Sequence, residues 1–160
     1  MQKPEIYKVV FLGDGGVGKS TLLHRHLQGK FEMVYHATIG AEVYPLQFDT
    51  NHGKVVLNIW DTAGQEKYGG LRDGYLLNAH LAVLFYSVDS KTTVKNLAFW
   101  EADVHKVGEI PTMTVGTKCN LPRKVVLDTP LVNAKTGEGM NEFWKMLLAK
   151  VTGHEDIEIV

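Results

Sequence analysis

The sequence predicts an α/β domain with a mostly parallel sheet and helices on both faces. Two observations carry this. Apolar runs bounded by turn residues recur with helical stretches between them, the pattern of strands buried on both sides. The first such run, "YKVVFL" (7–12), feeds directly into a Gly-rich stretch, "GDGGVGKS" (13–20), that opens a helix. At 160 residues and 44% hydrophobic, the chain can bury one sizeable core and is too short for two ordinary domains. Residues 1–160 read as a single domain.

The elements follow in order. "YKVVFL" is a buried first strand, and a helix runs over roughly 19–28. "EVYPLQFDTNHGKVVLNIWD" (42–61) is two strands joined by a turn at Asn51-His52-Gly53. Pro45 interrupts the first of these and places it at a sheet edge, where a missing N–H costs no partner. "HLAVLFYSVD" (80–89) and "PTMTVGT" (111–117) are two more buried strands. Residues 91–107 form a helix ending before Gly108, with Leu97, Trp100 and Val104 on one face. Residues 138–151 form the last, with a core stripe of Phe143, Met146, Leu147 and Trp144. Trp60 also reads as core packing.

Composition excludes several function classes. Lys+Arg 17 against Asp+Glu 18 leaves a net charge of −1, so neither a nucleic-acid-binding stripe nor a polybasic membrane patch is expected. A single cysteine, Cys119, allows no internal disulfide and fits a reducing compartment. "MQKPEIYK" lacks the apolar core of a secretion signal, residue 2 is Gln where myristoylation needs Gly, and "HEDIEIV" offers no cysteine for a prenyl anchor. No lipid anchor is expected. Of the histidines, His24 and His26 are two apart on a helix and face different ways, while His36, His52 and His80 are scattered, so no histidine metal site is expected.

"GDGGVGKS" fits G-x-x-x-x-G-K-[ST] in the strand–loop–helix setting its mechanism requires. The glycines let backbone N–H groups face phosphate oxygens, aided by the helix dipole. Asp14, Gly15, Gly16, Val17, Gly18, Lys19, Ser20 and Thr21 form the expected phosphate-binding set, with Lys19 bridging β- and γ-phosphates and Ser20 ligating Mg²⁺. "WDTAGQE" (60–66) adds Asp61, placed at a strand end to hold the metal through water, and Gly64, whose N–H can meet a γ-phosphate. Gln65 can orient an attacking water, with Gly15 leaving room beside it. In "FEMVYHATIGAEV" (31–43), Thr38 can give Mg²⁺ a hydroxyl and the γ-phosphate an N–H, Phe31 can pack on the base or ribose, and Tyr35 can cover the phosphates. Catalysis would rest on Gln65, Lys19 and Thr38.

With these motifs the chain resembles a small GTPase of the Ras superfamily, and most closely the Ran branch of nuclear-transport GTPases. "RHLQGKFE" (25–32), "EVYPLQFDTNHG" (42–53) and "GGLRDGY" (69–75) are the Ran-like parts. The resemblance implies a P-loop NTPase fold of six strands, mostly parallel with one antiparallel edge strand, and Mg²⁺-dependent binding and slow hydrolysis of GTP. It also implies a monomer in nucleus and cytoplasm whose partners are transport receptors, an exchange factor and an activating protein. A small-molecule P-loop kinase fits less well, because "DTAGQE" suits a water-directing switch.

Two departures qualify the resemblance. The family reads guanine with N-K-x-D and S-A-K; here the matching residues are Thr117, Lys118, Cys119 and Asn120, then Asn133, Ala134 and Lys135. A carboxylate accepts from both guanine N1–H and the 2-amino group, whereas the Asn120 amide must set one donor against another. An unpaired buried donor costs roughly 1–3 kcal/mol. The base preference is therefore expected to be relaxed or to lean toward xanthine, unless Asp128 or Glu138 supplies the lost acceptor. The second departure is length: once a strand is counted, "LPRKVVLDTPLV" (121–132) leaves no room for the helix that relatives carry between Asn120 and Asn133, which is expected to be missing or reduced to a turn. The resemblance implies a basic patch on that helix that meets an acidic C-terminal tail, and both halves of this contact are expected to be absent here. A non-hydrolysing or base-relaxed binding module, a decoy for transport factors, is the alternative reading.

Overall fold

The computed structural model describes residues 3–15, 17–27, 34–36, 41–61, 74–118 and 127–160. The elements run β1 (Glu5–Gly13), α1 (Lys19–Leu27), β2 (Val34–His36), β3 (Ala41–Thr50), β4 (Gly53–Asp61), β5 (Leu81–Ser87), α2 (Lys91–Lys95), α3 (Leu97–Val107), β6 (Thr112–Thr117) and α4 (Met140–Thr152). The strands form one sheet in the order β2-β3-β4-β1-β5-β6. β1, β4, β5 and β6 run parallel, and the antiparallel edge is β3 with the three-residue β2. The five long strands are those the apolar runs predict, and the short β2 completes six; among the described residues the chain after 127 adds only an isolated bridge between Leu131 and Gly116.

β1 lies between β4 and β5, in register from Glu5 opposite Val55 to Phe11 opposite Asp61. Because side chains alternate along a strand, it feeds two cores. Val9 and Phe11 join the cluster under α1 and α4, with Leu22, Leu23, Phe85, Phe143 and Leu147. Val10 and Leu12 join the cluster under α3, with Trp100, Val104, Tyr75 and Leu76. All four β1 side chains are fully buried. Each such burial is worth about 1.5–3 kcal/mol.

Pro45 sits inside an unbroken β3, opposite Asn58. The β2 ladder pairs with β3 only as far as Val43, so the proline faces an edge with no described strand beyond it. The helix predicted over 91–107 is two segments, α2 and α3, meeting at Asn96. The Asn96 N–H still bonds the Thr92 carbonyl, but its ψ of −9° departs from the helix. In α4, Met140, Phe143, Trp144, Leu147 and Leu148 are buried, while Met146, expected on the core stripe, is 42% exposed. The apolar face is centred on Trp144 and Leu148 instead. No helix among the described residues is long and apolar enough to cross a membrane.

The chain entering β5 is held by Lys8. Its ammonium donates to the carbonyls of Gly74 and Leu77 at 3.0 and 2.8 Å and lies 3.7 Å from the centre of the Trp60 ring. These contacts favour the charged form, yet burial outweighs them and pushes the pKa from 10.5 down to about 8. The folded chain thus releases this proton at lower pH than the unfolded chain, so the stability contributed by Lys8 rises from about pH 8 to above pH 10. Urea melts of the wild type and Lys8→Met should show the difference moving in the wild type's favour across that window. A difference independent of pH would contradict this assignment.

Candidate functional site

In an open parallel sheet, ligand sites form beyond the carboxyl ends of the strands. β1 ends at Gly13 with φ of 150°, and a Cβ there would lie 2.7 Å from the Phe85 carbonyl oxygen. Only glycine lets the chain leave β1 so close to β5. Gly18, at φ of 97°, turns the loop into α1. Lys19, the first residue of α1, is 4% exposed, and its ammonium donates to the carbonyls of Gly13 and Asp14 at 2.5 and 3.0 Å. These bonds hold the cation across the loop whose N–H groups the motif aims at phosphate. Asp61 ends β4 with 2% exposure and accepts from the Ser20 hydroxyl at 2.5 Å. Three residues assigned separately from sequence, Lys19, Ser20 and Asp61, meet at one end of the sheet.

The Asp14 carboxylate faces another way. It accepts from the Asn96 amide at 2.6 Å and from the Trp100 indole N–H at 3.0 Å. It therefore anchors the phosphate loop to the α2–α3 junction, leaving the backbone of Asp14 to the loop itself. Sequence reading placed Trp100 in the core, where it is, but nothing local announces that its N–H and an amide 82 residues from Asp14 share one carboxylate.

The predicted base side lies next to the loop. Val17, Gly18, Thr21, Leu22, Thr117, Lys118, Val132, Asn133, Ala134 and Lys135 line a cavity of about 510 Å³. β6 delivers Thr117, whose buried hydroxyl lies 2.5 Å from the Val17 carbonyl and 3.1 Å from that of Tyr86. The side chain thus ties the base loop to the phosphate loop. Lys118 follows in the left-handed region at φ of 59°. Asn133, 2% exposed, accepts from the N–H groups of Lys135 and Thr136 at 2.9 and 3.3 Å. Those two donors fix its amide orientation, and its Nδ2 has no hydrogen-bond partner among the described residues. Asp128 and Glu138, the candidate replacement acceptors, are exposed and absent from the cavity lining.

A residue that sequence reading missed holds this loop in place. The Arg25 guanidinium, on α1, donates to the Lys135 and Thr136 carbonyls at 3.0 and 3.2 Å. Gly139, at φ of 78°, lets the chain enter α4, since a Cβ there would lie 2.0 Å from the Leu131 carbonyl oxygen. Gly16, Phe31, Thr38, Gly64, Gln65 and Asn120 lie outside the described residues, as do Cys119 and residues 121–126, where the helix was expected to be missing or reduced to a turn. Tyr35 is described only as a backbone position in β2.

Removing the Asp14 carboxylate strands two part-buried donors. Asp14→Ala should cost about 2–6 kcal/mol in urea unfolding, taking roughly 1–3 kcal/mol per unsatisfied group, and should speed nucleotide release by loosening the loop. A loss below about 0.5 kcal/mol would show that the anchor is dispensable. A protein-family model described as the Ras family matches residues 8–159.

Proposed function

Because the chain belongs to the Ras family of GTP-binding small GTPase switches, we propose that it is a Ran-like member linked to nucleocytoplasmic transport, hydrolysing GTP slowly. The observation that carries the switch reading is the meeting of Ser20 with Asp61 beside the buried Lys19. A hydroxyl and a carboxylate are hard oxygen donors, the set that suits Mg²⁺. Ser20 would hold the ion directly and Asp61 through water, with Thr38 as a further ligand. When bound, Mg²⁺ supplies charge neutralisation to the β- and γ-phosphate oxygens.

The protein's own groups do the rest. The N–H groups of residues 14–18 and the N-terminus of α1 receive phosphate oxygens, and Lys19 moves its ammonium from loop carbonyls to the phosphates. Gln65 orients the water, with no proton transfer to a covalent intermediate. Rapid turnover would need an arginine from a partner, since none is placed by sequence to act in cis. The Ran-like assignment rests on the stretches 25–32, 42–53 and 69–75 and carries with it a monomer in nucleus and cytoplasm, partnered by transport receptors, an exchange factor and an activating protein.

Base preference is a separate part of the proposal. Asn120 offers one acceptor and one donor, and xanthine, with a 2-oxo group in place of guanine's amine, meets both. Adenine would set its 6-amino group against the Ala134 N–H. Asn120 also favours the second reading, a binding module that has surrendered guanine selectivity and hydrolysis.

Two measurements test these readings. The nucleotide that co-purifies should be GDP, and phosphate release from GTP should be abolished by Gln65→Leu. An empty site, or release indifferent to Gln65→Leu, favours the module. XDP should bind within a hundredfold of GDP or more tightly, because the unpaired donor, at about 1–3 kcal/mol, weakens GDP and not XDP. GDP binding more than about a hundredfold tighter would refute the relaxed base preference.

A further inference from the structure

The segment after α4 folds back on the β3–β4 hairpin. Thr50 and Ile159 form an antiparallel bridge, Asn51 exchanges backbone and side-chain bonds with Asp156 and Glu158, and the Val160 N–H reaches the Asp49 carbonyl. Ile157, fully buried, anchors the segment in the larger core. This docking corrects the expectation that the histidines are scattered. His52, in the hairpin turn, and His154, just past α4, stack ring on ring with centroids 3.9 Å apart and planes 2° from parallel. Asp156 Oδ1 lies 2.9 Å from His52 Nε2. Ligand atoms from all three residues fall within 4.8 Å of one another.

We propose that His52, His154 and Asp156 form a site for a divalent transition-metal ion of the Zn²⁺ class, which clamps the C-terminal segment to the β3–β4 hairpin. Two imidazole nitrogens and one carboxylate oxygen are the donor set of Zn²⁺ and its first-row neighbours, whereas Mg²⁺ and Ca²⁺ take oxygen ligands. Three protein ligands leave a fourth tetrahedral position to water. Parallel rings direct their in-plane lone pairs along parallel lines, so one ring must turn about its Cβ–Cγ bond to share an ion. Both rings are at the surface, and the turn disturbs no core packing. The existing His52–Asp156 contact is exposed, with the Asp156 side chain 75% accessible, so as an ion pair alone it contributes little. An ion would bind two elements that the chain separates by about a hundred residues and so favour the folded state.

The test uses the full chain loaded with GDP and Mg²⁺, titrated with ZnCl₂ by calorimetry. The wild type should take up one equivalent, and at a hundredfold excess over Kd its Tm should rise by about 5–10 °C. His52→Gln and His154→Ala should each weaken binding by at least about tenfold, since even the loss of an outer-sphere partner costs that much. His105→Ala, an exposed histidine on α3, should leave it unchanged. In the wild type, Zn²⁺ should shift the ring-nitrogen resonances of His52 and His154, a readout that does not depend on any variant folding. Absence of saturable binding, or heat that persists unaltered in His154→Ala, as exchange at the nucleotide's metal would, overturns the proposal.

Discussion

The structure depends on one constraint, the burial of the second half of β1, Val9–Gly13, between β4 and β5 with helices above and below. A strand paired on both edges and covered on both faces has its backbone bonds satisfied by the ladder and its side chains excluded from water. Its position is thus set to within a side chain's packing tolerance. The phosphate loop inherits that precision, because Gly13 is both the last residue of β1 and a carbonyl partner of Lys19. A loop on a softer strand could have the same residues and still fail to aim them.

The loops at the carboxyl end of the sheet are then tied to one another by polar contacts. Asp14 reaches the α2–α3 junction, Thr117 reaches the Val17 carbonyl, and Arg25 reaches the loop after Asn133. Each tie runs from the phosphate loop or its helix to a neighbouring element, so phosphate-side and base-side surfaces are held in one frame. This is the arrangement a switch needs. A rigid floor keeps the nucleotide's reference points fixed while the segments that answer to the γ-phosphate change conformation. Asn133 is fixed at Oδ1 by two N–H donors, and its buried Nδ2 has no partner among the described residues.

Much of this was legible in the residues, and where it was not, the reason is distance along the chain. The β3–β4 hairpin, the buried runs of β5 and β6 and the loop motif are local patterns, and they lie where periodicity and turn chemistry put them. The helix over 91–107 read as continuous because helical periodicity continues through Asn96, whose amide is taken by Asp14 82 residues away. Met146 was assigned to the core stripe of α4 because a methionine fits either face, and Trp144 and Leu148 occupy the buried one. His52 was read as one of the scattered histidines, and His154 was not weighed, because nothing in either neighbourhood announces that the segment after α4 returns to the hairpin.

The amino-acid sequence by itself determined the fold class and the glycine-rich turn between β1 and α1, and it singled out Lys19, Ser20 and Asp61, since each rests on short-range patterning or on side-chain chemistry that needs no partner to be recognised. Only the tertiary structure decided how Asp14 and Thr117 are spent, that Arg25 holds the base-side loop, and that two histidines and an aspartate converge at the C-terminal seam. Those outcomes depend on which donors and acceptors meet across the sheet. Pairing of that kind is settled by where β1 and its neighbours bring the loops, and no local stretch of sequence encodes it.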